Sequence, residues 1–512
     1  MPASMLKRNV LIVVFLTWAC GPASRAMGQG ASREPAVPPE VQAALAGIRA
    51  ASLRGDLSFL SSDLLEGRDT PSRGLDIAAE YIAAQFRIAG LEPSLANDYF
   101  QKAPMVVDEP SFANFELKLS SGGRALAVSP SQAVLHLNAA LELNAEPLFK
   151  LDLADAGLIE QLTDSQVEGK VVITEFNPKL LPRLRAANKI LRRAKPSLTI
   201  LVDPKGERAH QEPGHRLMDP DEAQSAASGR ITLTGEAAAQ FYAALKPGTS
   251  DASITGRIDA PIRKQVTLGN VIGILRGSDP ALRDTCVMLT AHYDHLGVRP
   301  GGSGDRIYNG ANDDGSGTVS VIAVARALAG LKQRPRRSIL FMTFFGEEEG
   351  LIGSKYYARH PVWPLDKTVA QLNLEQLGRT DSTEGRQISN ATLTGFDYSD
   401  LTRYVQRAGA STGVRIYKHA QNSDAYFGAS DNFSLAEAGV PAETLAVAFD
   451  FPDYHAVGDE WQKIDYDNMA KVDRTVALAL YLMADSDRPV RWNEANPKTA
   501  PYVKAGKQRA EQ

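Results

Sequence analysis

The sequence predicts an α/β fold: a mainly parallel mixed sheet sandwiched by helices, with a smaller α/β module inserted into it. Three observations carry that expectation. From residue 270 to about 484, apolar runs alternate with Gly-rich loops and a long helical stretch, in the repeated order strand, loop, helix. Between about 106 and 262 the texture changes to shorter β-like runs around one basic helical stretch. The 512 residues exceed what one compact core holds, since a domain averages roughly 150 residues.

In chain order, residues 1–26 read as a signal peptide. Lys7 and Arg8 precede an apolar run over 10–19, and small residues from Gly21 to Ala26 supply a cleavage region. That run is too short to cross a bilayer, which takes roughly 20 residues, and no later segment qualifies, so a periplasmic or secreted chain without a transmembrane segment is expected. Cys20 offers a rival, a lipoprotein anchor, but Thr17, Trp18 and Ala19 before it fit that signal poorly. Residues 27–40 are rich in Gly and Pro and read as a linker.

Residues 41–105 are predicted helical: Val41, Leu45 and Ile48, then Leu57, Leu60 and Leu64, then Ile77, Ala78, Tyr81, Ile82 and Phe86 recur at helical spacing. Within the 106–262 insert, β-like runs stand at 115–119, 171–176 and 198–202. Arg183, Arg185, Lys189, Arg192, Arg193 and Lys195 mark the solvated face of a helix over 180–195. Residues 263–490 form the main core, with strands expected at 286–291, 339–345, 369–374 and 444–449 and a helix at 318–331 ended near Gly330. Residues 491–512 read as a frayed polar tail.

Composition narrows the function classes. Hydrophobic residues at 44% and charged residues at 23% are ordinary globular usage, and a net charge of −4 leaves no footprint for nucleic acid or an anionic membrane. Once residues 1–26 are removed, Cys286 stands alone, which excludes an intramolecular disulfide; within an apolar run it reads as a small core residue.

The chemistry gathers where the strands end. His292, Tyr293, Asp294 and His295 follow the first run, and Asn312, Asp313 and Asp314 follow a glycine loop. Glu347, Glu348 and Glu349 follow the second run, Glu375 the third, and Tyr454 and His455 the fourth. Open sheets bind ligands beyond the carboxyl ends of their strands, so these groups are expected on one side. Carboxylates and imidazoles without a thiolate are the donors of a hydrolytic zinc pair. Two ions roughly 3.5–4 Å apart need one bridging carboxylate, with one His and one further carboxylate each.

Four segments resemble the dizinc aminopeptidases of the leucyl aminopeptidase and aminopeptidase Y type, relatives of glutamate carboxypeptidase and transferrin receptor. They are Ala291-His292-Tyr293-Asp294-His295-Leu296-Gly297, Asn309-Gly310-Ala311-Asn312-Asp313-Asp314-Gly315-Ser316-Gly317, Gly346-Glu347-Glu348-Glu349-Gly350-Leu351-Ile352-Gly353-Ser354, and Asp453-Tyr454-His455. The opening Phe59-Leu60-Ser61-Ser62-Asp63-Leu64-Leu65-Glu66-Gly67-Arg68 is similar too, and Glu168-Gly169-Lys170-Val171-Val172-Ile173 with Ile200-Leu201-Val202 resembles the protease-associated domain often inserted there. The resemblance implies a zinc-exopeptidase-like fold holding two zinc ions. Asp313 would bridge them, His292 and Glu375 would hold one, and Glu348 and His455 the other. Glu347 would be the general base, and Asp294 would fix the His292 tautomer. The family usually has Asp where this chain has Glu375, one methylene longer.

The implied activity is that of a secreted aminopeptidase, which releases N-terminal residues from peptides through a metal-bridging hydroxide. Tyr426, Phe427, Phe449 and Phe451 are candidates for the side-chain pocket. A carboxypeptidase or glutaminyl cyclase on the same scaffold, or a dead binding module, are the alternatives; the dead module is opposed by the filled ligand positions. Three other signals are set aside. His210 and His215 flank Glu212 and Pro213 at the wrong spacing for a zinc helix, and Pro213 opposes a helix. Ser430-Asp431-Asn432 lacks the partner motifs of a β-lactamase and reads as a wall of the metal site. Gly301, Gly302 and Gly304 lack the Lys-Ser/Thr of a phosphate loop.

Overall fold

Apolar residues at helical spacing near the amino-terminal end fold into three helices, Pro39–Ala46, Ala50–Leu60 and Arg73–Ile88. The computed structural model describes residues 37–510 except 96–97, 207–208, 210–213, 224–228 and 300–303, so the signal peptide and most of the linker lie outside the described residues. The Ser72 hydroxyl caps the third helix by accepting from the Leu75 amide at 3.0 Å. Its buried stripe of Leu75, Ala78, Ile82 and Phe86 packs on the long strand Ile262–Leu275, where the Phe86 ring lies against Gly273. Leu64 leaves the predicted stripe: it is 83% exposed, because the helix ends at Leu60 and the chain then turns through left-handed residues at 66–68.

The main sheet has ten strands. Its four central members, Ala442–Ala446, Thr368–Glu375, Cys286–His292 and Ser338–Phe344, run parallel, whereas Ile262–Leu275, Phe100–Glu109, Arg216–Met218 and Glu92–Pro93 extend it antiparallel. The sheet is therefore mixed, and its parallel part is the one that delivers the candidate ligands. Register makes this concrete: His292 pairs with Phe344 and Glu375 with Ala446, so the residues after these strands emerge at one edge. The helix Gly317–Ala329 buries Val319, Val321, Ile322, Val324 and Leu328, and each such side chain contributes roughly 1.5–3 kcal/mol by leaving water. Cys286 lies in the core and burial pushes its thiol up to about 12, which fits a packing role.

The chain leaves the main sheet after Glu109 and rejoins it at Ile262. Between these points it builds an eight-stranded sheet with its own core, including Leu119, Ile173, Ile200 and Ile254. The basic helix Leu181–Ala194 covers its other face with Leu184, Ala187 and Leu191, and Arg193 pairs with Asp164 at the surface. One excursion crosses over: Arg216–Met218 pairs with residues 106–108 of the main sheet.

The segment expected to be a frayed tail is helical over Ala500–Ala510. Aromatic contacts hold it: Trp492 stacks on Tyr502 at 5.2 Å, and Tyr502 lies 5.4 Å from Phe427. Two apolar rings in a polar segment leave no helical period to read. No described helix is long and apolar enough to cross a membrane.

Glu443, in a central strand, offers a stability test away from the strand ends. It is fully buried, accepts from Ser399 at 2.6 Å and Thr402 at 2.9 Å, and burial pushes it up to about 8. In the unfolded chain the carboxyl ionises near 4.5, so its contribution to stability is full below that pH and is lost as pH rises through 8. Glu443→Gln is therefore expected to remove that slope, so that its stability relative to wild type rises by roughly 5 kcal/mol between pH 4 and pH 9, at about 1.4 kcal/mol per pK unit over the interval from 4.5 to about 8. Urea denaturation at both pH values checks this; a mutational difference independent of pH contradicts it.

Candidate metal centre

The strand Cys286–His292 ends on an imidazole that is 1% exposed. Its Nε2 lies 3.3 Å from Asp313 Oδ1, 3.8 Å from Glu375 Oε1 and 3.9 Å from Glu347 Oε2, yet this buried nitrogen has no hydrogen-bond partner. Its Nδ1 faces Asp294, 3.2 Å from the backbone oxygen and 3.5 Å from the carboxylate, which orients Nε2 toward the cluster. The Asp294 carboxylate also accepts from the amides of Glu347 at 3.1 Å and Glu348 at 3.3 Å. A residue expected to fix a tautomer thus also anchors the glutamate loop.

Asp313 sits in a short irregular turn, 311–316, that opens with Gly310 at φ 55. A Cβ there would lie 2.4 Å from both Asp313 O and the His295 ring, so only glycine fits. Asp459 holds the turn from below by accepting from the Asn312 and Asp313 amides at 2.9–3.0 Å. Asn312 Oδ1 in turn accepts from the Gly378 and Arg379 amides, which fastens the loop after Glu375. Asp314 is fully buried and accepts from the amides of His292, Gly317 and Gln376.

The two adjacent glutamates diverge. Glu347 faces His292, whereas Glu348 reaches His295 Nδ1 at 2.8 Å and His455 Nε2 at 3.3 Å. His455 Nε2 also lies 3.0 Å from Asp313 Oδ2. Asp313 thereby presents one oxygen to His292 and the other to His455, the disposition of a bridging carboxylate. Two donor sets that share Asp313 result: His292, Asp313 and Glu375 around one point, and His295, Asp313 and Glu348 around another, with His455 beside the second. The sequence pattern alone assigns His295 no role; its three-residue spacing from His292 is the signal for one. Ser430 donates to Glu375 and accepts from Asn373 at 2.7 Å, so the Ser-Asp-Asn segment does line this site. His215, set aside from sequence, lies 3.8 Å from Glu349 and bonds to the Thr70 carbonyl. His210, Glu212, Pro213, Gly301 and Gly302 lie outside the described residues.

Electrostatics show what the cluster lacks. Burial alone lowers the His455 imidazole, but Glu348 and Asp313 outweigh it and push it up to about 11. Burial pushes Glu375 up to about 8, against the opposing pull of His292, and raises Glu347 well above its usual range. The imidazoles hold Asp313 well below its range despite burial. Carboxylates outnumber imidazoles here, so the site calls for balancing positive charge. The bare His292 nitrogen, the shared Asp313 and this deficit fit a pair of divalent cations bound by nitrogen and oxygen.

Residues 270–480 match the profile of Peptidase family M28. Aminopeptidase YwaD of Bacillus subtilis is 29% identical over 224 residues, 42% of this chain and 44% of that protein. The chain spans only 29–57% of the first curated relatives it matches. Among solved structures, an aminopeptidase from Aneurinibacillus sp. strain AM-1 superposes with a TM-score of 0.57 at 20% identity, covering 88% of this chain and 96% of that one. BSAP, a zinc aminopeptidase from Bacillus subtilis, gives 0.55 at 19% identity, covering 90% and 98%. At such identities the structural likeness is one of fold. The sequence profile and the shared architecture agree: residues 270–480 of this chain are similar to Peptidase family M28.

Proposed function

We propose that the protein is a dizinc exopeptidase, an aminopeptidase that releases N-terminal residues from peptides. The single observation that carries the reading is Asp313, whose two oxygens lie 3.3 Å from His292 Nε2 and 3.0 Å from His455 Nε2. His292 and Glu375 would hold one ion with it, and Glu348 and His455 the other. Zinc bound there supplies Lewis acidity, which lowers the pKa of water and polarises a carbonyl. Glu347, placed opposite His292, takes the proton from the attacking water and passes it to the leaving amine. Asp294 orients His292 through Nδ1 and keeps the glutamate loop in place through two amides. The name of aminopeptidase YwaD supports the aminopeptidase reading, while a relative from Zea mays, 28% identical over 235 residues, is named a probable glutamate carboxypeptidase, the alternative that the hydrolysis test separates.

We infer further that the chain is exported, on the charged and apolar pattern of residues 7–26, and that residues 106–262 are a protease-associated insert. The test of the activity is hydrolysis of a panel of aminoacyl amides before and after chelation. Release of the N-terminal residue that disappears on chelation and returns with zinc is the expected result. Release of a C-terminal residue, or cyclisation of N-terminal glutamine without release, contradicts it.

A further inference from the structure

Arg68 belongs to the amino-terminal helical layer, far in sequence from every candidate ligand, yet it touches the loops that carry them. Its side chain is 1% exposed. Nε donates to the Tyr293 carbonyl at 2.8 Å, Nη1 to those of Leu60 and Asn309 at 2.6 and 2.7 Å, and Nη2 to that of Gly310 at 2.9 Å. The Arg68 carbonyl accepts from the His295 amide at 3.1 Å, so this one residue grips the chain on both sides of Asp294.

The backbone is strained to bring it there. Glu66, Gly67 and Arg68 have φ of 48, 68 and 53°, three left-handed residues in succession. At Gly67 a Cβ would lie 2.5 Å from Tyr308 O and 2.7 Å from Gly297 O, so the segment is wedged between the strands at 297–298 and 307–308. A buried guanidinium is costly unless its donors are met. Here they are met by backbone carbonyls, and its charge is set against Asp294, Asp459, Asp314 and Asp313.

The consequence is geometric. Tyr293 and His295 bracket Asp294, whose carboxylate holds the Glu347 and Glu348 amides. Asn309 and Gly310 lead directly into the turn that presents Asp313. A planar fork with fixed donor directions spans these loops as a lysine ammonium does not.

We propose that Arg68 is a positioning residue of the metal centre: its guanidinium sets the separation of the 292–295 and 309–313 loops, and with it the spacing of the two candidate ion sites. This rests on the dinuclear reading above.

The experiment measures zinc affinity by competition with a chromogenic chelator in wild type, Arg68→Lys and Arg68→Gln, together with circular dichroism, kcat and KM. Both variants are expected to fold, to bind zinc roughly 10–100-fold more weakly, and to lose kcat with little change in KM. Tyr81→Phe, which removes a 2.7 Å hydrogen bond to Asp56 in the same helical layer, is the control, with wild-type zinc affinity expected at lower stability. Wild-type zinc affinity and kcat in a folded Arg68 variant would overturn the proposal. So would loss of fold in both variants, which assigns Arg68 to folding alone. A wild-type protein that binds no zinc is a distinct result: it sinks the dinuclear reading before any variant is made, and this inference with it.

Discussion

Glu347→Gln is expected to lower kcat by roughly 10²–10⁴-fold while zinc content stays at the wild-type value, since a positioned acid–base group contributes that much. At 1.36 kcal/mol per tenfold, the loss is about 3–5 kcal/mol of barrier. The two neighbouring glutamates divide the labour. Glu348 is committed to His295 and His455, while Glu347 Oε2 stands 3.9 Å from His292 Nε2 with its side chain 12% exposed. Burial also raises the proton affinity of Glu347, which suits a group that must accept a proton. Glutamine keeps the size and the backbone amide bond to Asp294 but accepts no proton. Elemental analysis with steady-state kinetics checks this, and loss of zinc alongside activity would make Glu347 a ligand instead.

Asp313→Ala has the second large effect, on metal binding. Asp313 is common to both donor sets, so its removal is expected to weaken both ions, by more than the roughly 10–100-fold seen when an outer partner of a metal ligand is lost. Glu375→Ala touches one set only and is expected to weaken one ion while sparing the other. Isothermal titration with zinc resolves the two cases. Equal behaviour of the two variants would remove Asp313 from its shared role.

What was legible in the sequence follows from locality. Each expected strand of the central sheet exists because an apolar run of that length buries on both faces, and most of the candidate ligands stand out because they follow such a run, whereas Asp313 lies in the turn before the helix Gly317–Ala329. His292, Asp313, Glu347, Glu348, Glu375 and His455 converge in the fold as that reasoning requires. Asp459 and Arg68 were invisible as site residues for the opposite reason. Asp459 acts on amides nearly 150 positions away, and Arg68 on carbonyls up to 242 positions away, and such bonds leave no period in the sequence. The antiparallel flank of the main sheet and the carboxyl-terminal helix escaped in the same way. Their partners are supplied by distant strands and by the Trp492–Tyr502 stack.

The central claim is that one carboxylate joins two ions. Its most direct measurement is anomalous X-ray scattering at the zinc edge from crystals of the zinc-loaded protein. The account predicts two peaks roughly 3.5–4 Å apart, each within coordination distance of one Asp313 oxygen. A single peak, or two peaks that do not share Asp313, would contradict it.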